Sequence, residues 1–286
     1  MVDDLAGLPA VVTGSSRGLG RAFADALAQA GARVVVNGTN PETTRAAVAA
    51  ITDRGGTAVA CVGSVADVTF CARLIETCVE EFGGIGLLVN NAGLTHDRSL
   101  TRMTVEEFDE VIAVHLRGTW ACSASAARAM RATGGSIVNI TSGAGLFGTF
   151  GQSNYAAAKA GIVGLSRVMD LELTRQGIRV NALAPIARTD MTAVFDTGQV
   201  AHRLAFPPPE TVAPVVTYLA SDASRHLHGQ VLSFDGTELS IWSHPTATST
   251  WRRTGLWTTQ EFASVLTLDV MQHPNPDRWG SGIVTD

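Results

Sequence analysis

The chain is 286 residues long, 45% hydrophobic, and carries 26 acidic against 21 basic side chains, a formal net charge of −5. This length and apolar content support a full hydrophobic core and exclude a disordered or collagen-like chain. A negative balance with no basic run excludes nucleic acid and anionic membrane surfaces as partners, and no apolar stretch reaches the roughly 18 residues of a membrane span.

Seven short runs rich in β-branched residues read as strands, at 9–13, 33–37, 57–63, 85–90, 136–141, 179–184 and 230–235. Several are almost continuously apolar, as in strands covered on both faces of a parallel sheet. Helical stretches separate them, at 20–30, 43–54, 70–82, 105–132, 154–176 and 211–219. This alternation predicts an α/β fold, a doubly wound Rossmann-type parallel sheet of about seven strands with right-handed crossovers. Composition changes near residue 240. Residues 241–286 hold four of the five tryptophans (Trp242, Trp251, Trp257 and Trp279) with Pro245, Pro274 and Pro276, and one further helix is expected at 259–268. The domain reading is one body over 1–240 and an extension over 241–286, expected to pack on a neighbouring subunit or at a substrate mouth. The N-terminus, Met1-Val2-Asp3-Asp4, is acidic where a signal peptide is basic. Cys61, Cys71, Cys78 and Cys122 form no CxxC pair, so reduced thiols in a cytoplasmic protein are expected.

The first strand runs directly into Thr13-Gly14-Ser15-Ser16-Arg17-Gly18-Leu19-Gly20, and a helix follows. Glycines at that junction allow a tight turn and close approach of the backbone to a pyrophosphate on the helix N-terminus. A bland turn is the competing reading of a lone Gly-rich loop; its place between first strand and first helix favours a dinucleotide. The second strand ends Val36-Asn37-Gly38. A site selective for NAD usually carries Asp or Glu there for the ribose 2′-hydroxyl. Gly38 has no carboxylate to repel a 2′-phosphate, Thr39 and Asn40 can donate to one, and Arg17 can reach it. NADPH is therefore favoured over NADH.

Of the 21 basic residues only Lys159 is a lysine, and it stands four residues after Tyr155, one of two tyrosines. Residues four apart share a helix face. A neighbouring ammonium favours phenolate, which suits an acid–base tyrosine. Ser142 lies just past the C-terminal end of the fifth strand, where open α/β sheets present ligand-binding groups, and its hydroxyl can donate to a carbonyl oxygen as charge develops. Each of the three has a bland reading as turn, core aromatic or surface cation; together, downstream of a dinucleotide loop, they read as a catalytic set.

On these residues, with Asn90-Asn91-Ala92-Gly93, Asn181, Pro185 and the stretch from Ser221-Asp222 to Gly229-Gln230, the chain resembles the short-chain dehydrogenase/reductase family over about residues 5–240. It looks most like 3-oxoacyl-carrier-protein reductases, then hydroxyacyl-CoA dehydrogenase domains. The resemblance implies hydride transfer at nicotinamide C4, with Tyr155 exchanging the proton, Ser142 assisting and Lys159 also binding the nicotinamide ribose. It places Gly14, Ser16, Arg17, Gly18, Leu19, Gly20, Gly38, Thr39, Ser64, Val65, Asn91, Ala92, Gly93, Thr141, Pro185, Ile186 and Thr189 on the cofactor. It also implies a homotetramer or homodimer. Three features depart from the family pattern: His115-Leu116-Arg117-Gly118 stands where N-x-x-G is usual, Ile186 follows Pro185 where Gly is usual, and the chain continues past the last expected strand. His115 is accordingly read as a fourth, neutral member of the catalytic set.

The seven histidines offer no HxxxH pair, and no metal is expected. Leu146, Phe147 and Phe150 read as walls of an apolar pocket, and 191–206, with Phe195, Leu204 and Phe206, as an apolar lid; plain packing competes for each. The sequence reading is an NADPH-dependent ketoreductase acting on a β-keto acyl or polyketide-like carbonyl, free or linked to an acyl carrier or CoA. Its rivals are an NAD-dependent hydroxyacyl-CoA or secondary-alcohol dehydrogenase and a non-catalytic dinucleotide-binding regulator.

Overall fold

Ala10, Val11 and Val12 expose no surface, and this apolar run forms the first strand, β1 (Pro9–Val12). The computed structural model describes residues 4–188, 206–242, 244–247 and 249–266. The chain divides into two units, Met1–Trp242 and Ser243–Asp286. In the first, β1 is followed by α1 (Gly18–Gln29), β2 (Arg33–Gly38), α2 (Pro41–Thr52), β3 (Thr57–Val62), α3 (Val68–Phe82) and β4 (Leu87–Asn90). Then come α4 (Val105–Ile112), α5 (Gly118–Met130), β5 (Gly135–Ile140), α6 (Gly143–Phe147), α7 (Ser153–Leu173) and β6 (Ile178–Pro185). The unit closes with α8 (Pro209–Val212), α9 (Pro214–Ala220), β7 (Val231–Phe234) and β8 (Leu239–Trp242). The described part of the second unit holds α10 (Thr259–Val265), opened by a capping box between Thr258 and Glu261.

The strands form one sheet in the order β3-β2-β1-β4-β5-β6-β7-β8. Alternate residues of a strand face opposite sides. Val12, Val34 and Val36 therefore pack with Phe23 and Leu27 of α1 and Leu219 of α9 on one face. Val11 and Val35 pack with Leu74 of α3 and Cys122 of α5 on the other. Full burial of each such side chain stabilises the fold by about 1.5–3 kcal/mol. The four cysteines are buried free thiols.

Two sequence expectations change. The sheet has eight strands, not seven, and the last is antiparallel: Val231 pairs with Trp242 and Phe234 with Leu239. The reversal is made at Asp235-Gly236, where the Asp235 carboxylate accepts from the backbone amides of Thr237 and Glu238 and Gly236 takes φ +92°. Trp242 thereby belongs to the sheet, with its indole N–H donating to Ser233 Oγ at 3.0 Å and its ring against Phe147. The expected helix over 105–132 contains a π-helical turn, Ala113–Arg117, between α4 and α5. The strand order reverses between β1 and β4, and at such a switch point the C-terminal strand ends splay to leave a crevice.

Candidate active site

The loop from β1 to α1 is held from below by Asn37. Its carboxamide accepts from the Gly14 amide at 3.1 Å and donates to the carbonyls of Cys61 at 3.0 Å and Gly63 at 3.1 Å, tying the loop to β2 and β3. Gly14 and Gly18 take φ of +61° and +56°, which only glycine adopts without strain. A Cβ at Gly20 would overlap Asn91 Nδ2 and Gly14 O, whereas one at Gly18 would meet nothing within 4 Å. The loop is thus packed on its inner side and open outward at the start of α1. That helix has no side-chain cap and no acidic residue in its first turn, so its leading amides are available to an anion. These features fit a dinucleotide pyrophosphate, with Ser16, Arg17, Gly18 and Leu19 at the rim.

At the end of β2, Gly38 packs so closely that a Cβ would lie 2.7 Å from Ser16 Oγ and 2.6 Å from Thr44 Oγ1. Thr39 is exposed beside it. The Asn40 side-chain oxygen caps α2 by accepting from the amides of Glu42 and Thr43. Asn40 is therefore a helix cap whose carboxamide oxygen is turned to its own chain.

The segment after β4 closes the other side of the crevice. Thr13 Oγ1 accepts from the amides of Asn91 and Ala92, both at 2.9 Å, and Asn91 Nδ2 donates to the carbonyls of Thr13 and Gly14. Beneath it a buried chain of polar groups runs from Ser123 through Asn90 and Asn139 to Ser166, fixing α5, β4, β5 and α7 together. Gly93 lies exposed at the surface of the turn.

Ser142 is the N-cap of α6, its hydroxyl accepting from the Ala144 amide at 3.3 Å. That leaves the hydroxyl proton free to donate, and Ser142 acts to lower the pKa of the Tyr155 phenol. Asn154 sets Tyr155 in place: its oxygen accepts from the Tyr155 amide and its Nδ2 donates to the carbonyls of His96 and Glu107. Lys159 Nζ donates to the Ile140 carbonyl at 2.6 Å and lies 5.5 Å from the centre of the Tyr155 ring. Burial pushes the phenol up to about 12, opposed by Ser142 and assisted by the Asp97 carboxylate. Burial brings the ammonium down to about 7. The expected lowering of the phenol by its lysine is not seen, because the cost of burying a phenolate dominates.

His115, at the centre of the π turn, is 1% exposed and stands edge-on to Tyr155, with ring centroids 5.1 Å apart. Burial, then the charge of Lys159, depresses its imidazole to about 3, so it is neutral at pH 7.

A model of the short chain dehydrogenase family matches residues 9–199. The chain belongs to this family. It is 41% identical over 234 residues to a 3-oxoacyl-[acyl-carrier-protein] reductase of Synechocystis, spanning 79% of this chain and 95% of the relative. It is 42% identical over 259 residues to the hydroxyacyl-CoA dehydrogenase ChsB1 of Mycobacterium tuberculosis, spanning 85% and 81%. The crystal structure of a short chain dehydrogenase from Mycobacterium avium superposes with a TM-score of 0.83 at 40% identity, covering 91% of this chain and 94% of that one.

The protein is thus an oxidoreductase, and its family membership accounts for the crevice at the strand ends. Several residues assigned to the cofactor in this short chain dehydrogenase have partners within the chain. Thr141 is buried, its hydroxyl donating to the Lys159 carbonyl at 2.8 Å, so its side chain braces α7. Val65 is also buried, with its carbonyl accepting from Cys71 Sγ; Ser64 beside it accepts from the Ala66 amide. Pro185 ends β6, and the Ile186 amide donates to the Phe234 carbonyl. Thr189 and residues 191–205 of the expected lid lie outside the described residues. Asn37 and Asn154 were missed as site-building residues. The one signal for Asn37 was a polar residue ending an otherwise apolar strand. Among the described residues no cluster of three or more His, Cys, Asp or Glu forms a metal site, and no helix is long and apolar enough to cross a membrane.

Proposed function

We propose that the chain is an NADPH-dependent ketoreductase that converts a β-keto acyl or polyketide-like ketone, free or carried on an acyl carrier or CoA, to a secondary alcohol. The observation that carries this reading is Lys159 Nζ 5.5 Å from the centre of the Tyr155 ring, with Ser142 at the end of β5 beside them and the Gly-rich loop upstream. When bound, the nicotinamide supplies the hydride. The chain's own groups do the rest. The Ser142 hydroxyl donates to the carbonyl oxygen and orients it, Tyr155 gives its phenolic proton to that oxygen, and Lys159 offsets the charge left on the phenolate. Gly38 without a carboxylate, with Ser16 packed on it, Thr39 exposed beside it and Arg17 in the preceding loop, supports NADPH over NADH. The reductase and dehydrogenase names of the relatives support an acyl-linked ketone, and the reading includes a cytoplasmic homotetramer or homodimer. Turnover of β-keto thioesters and simple ketones with NADPH and NADH, and of the corresponding alcohols with NADP and NAD, tests it. Faster oxidation of hydroxyacyl-CoA with NAD than any reduction with NADPH would sink it in favour of a dehydrogenase.

A further inference from the structure

The π turn at Ala113–Arg117 contains neither proline nor glycine, so no residue of its own calls for it. What it achieves is to aim His115 inward. His115 Nε2 lies 3.0 Å from the Leu94 amide nitrogen and 2.7 Å from the Leu94 carbonyl oxygen, and each neutral tautomer makes one of these bonds. The ring's Cε1 edge presses on Gly93, where any Cβ would overlap it. His115 Nδ1 is buried with no hydrogen-bond partner. The turn that carries Gly93 and Leu94 is fixed at its other end, where Thr13 Oγ1 holds Asn91 and Ala92. Neither ring nitrogen of His115 bonds to Tyr155 or Lys159; the tyrosine meets the imidazole only edge-on, and Lys159 Nζ is engaged with Ile140.

We propose that His115 is a positioning residue: through Nε2 it anchors Leu94, so that the 91–94 turn keeps one register against the Tyr155 ring across the dinucleotide crevice. The imidazole is an uncharged strut and carries no proton in the reaction. This rests on the reading of the crevice as a dinucleotide site, but the anchor itself can be read without ligand.

Three substitutions separate the two nitrogens. His115→Gln sets a carboxamide where Nε2 stood and can restore the Leu94 bond; His115→Asn reaches only the place of Nδ1; His115→Leu removes both. The readouts are hydrogen exchange of the 91–94 backbone in the ligand-free protein, NADPH affinity by fluorescence titration, and the pH profile of kcat. Loss of one net hydrogen bond corresponds to roughly tenfold. Exchange in Asn and Leu is therefore expected to be about tenfold faster and NADPH binding about tenfold weaker, with Gln close to the wild type and all pH midpoints unmoved. Wild-type exchange in Asn with fast exchange in Gln would overturn the anchor, as would equal exchange in both. A displaced pH midpoint in Gln would overturn the strut by giving the imidazole a part in proton transfer. Should Leu fail to fold, the Gln–Asn contrast decides. If the wild type binds no nicotinamide dinucleotide, the functional reading fails, and exchange at 91–94 still decides the anchor.

Discussion

Asn37→Ala removes three hydrogen bonds from a side chain that is 2% exposed. It leaves the Gly14 amide and the carbonyls of Cys61 and Gly63 without that partner, in a place too closed for easy solvation. A typical net value of about 1 kcal/mol per bond gives a destabilisation of roughly 3 kcal/mol. With a urea dependence of about 3 kcal/mol per molar for a chain this large, the unfolding midpoint should fall by about 1 M. Because the Gly14 amide helps to locate the loop, beside the backbone bond from Ser15 to Asn37 that the substitution keeps, dinucleotide affinity should fall as well, by about tenfold if loop ordering costs the equivalent of one hydrogen bond. Urea unfolding followed by circular dichroism reads the first number and fluorescence titration with NADPH the second. A midpoint shift under about 0.3 M, or roughly 1 kcal/mol by the same slope, would show that water or neighbouring groups replace the carboxamide, and the argument for a braced loop would fail.

Tyr155→Phe should lower kcat by at least about a hundredfold and leave NADPH affinity within about threefold, as expected for a proton donor that is not a cofactor anchor; more than a tenth of wild-type turnover would refute that role. Arg17→Ala should weaken NADPH by roughly ten- to 150-fold and NADH far less, since a bond to a charged phosphate is worth about 1.5–3 kcal/mol; equal losses would show that Arg17 does not read a 2′-phosphate. His115 sits at about 3 when folded against an ordinary 6.5, so the unfolded chain binds the extra proton between those values. Its contribution to stability is present above pH 6.5 and lost as pH falls towards 3. In urea titrations this amounts to roughly 2 kcal/mol by about pH 5, an order-of-magnitude figure, and His115→Gln should flatten the slope.

Much of this was legible in the chain because the chemistry demanded local spacing. Tyr155 and Lys159 lie one helical turn apart, and Gly14, Gly18 and Gly20 shape a single loop, so neighbours in sequence are neighbours in space. Seven of the strands were readable from their apolar or β-branched runs, most because both faces are covered, whereas β3 at the sheet edge leaves Thr57, Ala60 and Val62 exposed. The rest depended on partners far along the chain. Asn37 meets Gly14 and Gly63, each more than twenty residues away, and nothing in a local window marks those contacts. The π turn carries His115, whose partner Leu94 lies twenty-one residues upstream. By contrast β8 was announced by Asp235-Gly236 and by alternation in Leu239–Trp242, a hairpin signal masked by the tryptophans that follow. The partners of Thr141 and Asn40 are not revealed by motif position: the Thr141 hydroxyl reaches the Lys159 carbonyl, eighteen residues on, and the Asn40 oxygen caps its own helix.

Lys159 is the single lysine of the chain and is only 3% exposed. Amine-selective acylation therefore has one side-chain target in these 286 residues, and it is shielded. While the crevice stays closed Lys159 is spared. Any movement that uncovers it adds an acyl group at one known residue, so peptide mass spectrometry becomes a stopwatch for opening with no engineered label. A bound dinucleotide that seals the crevice should slow that addition, and urea should release it.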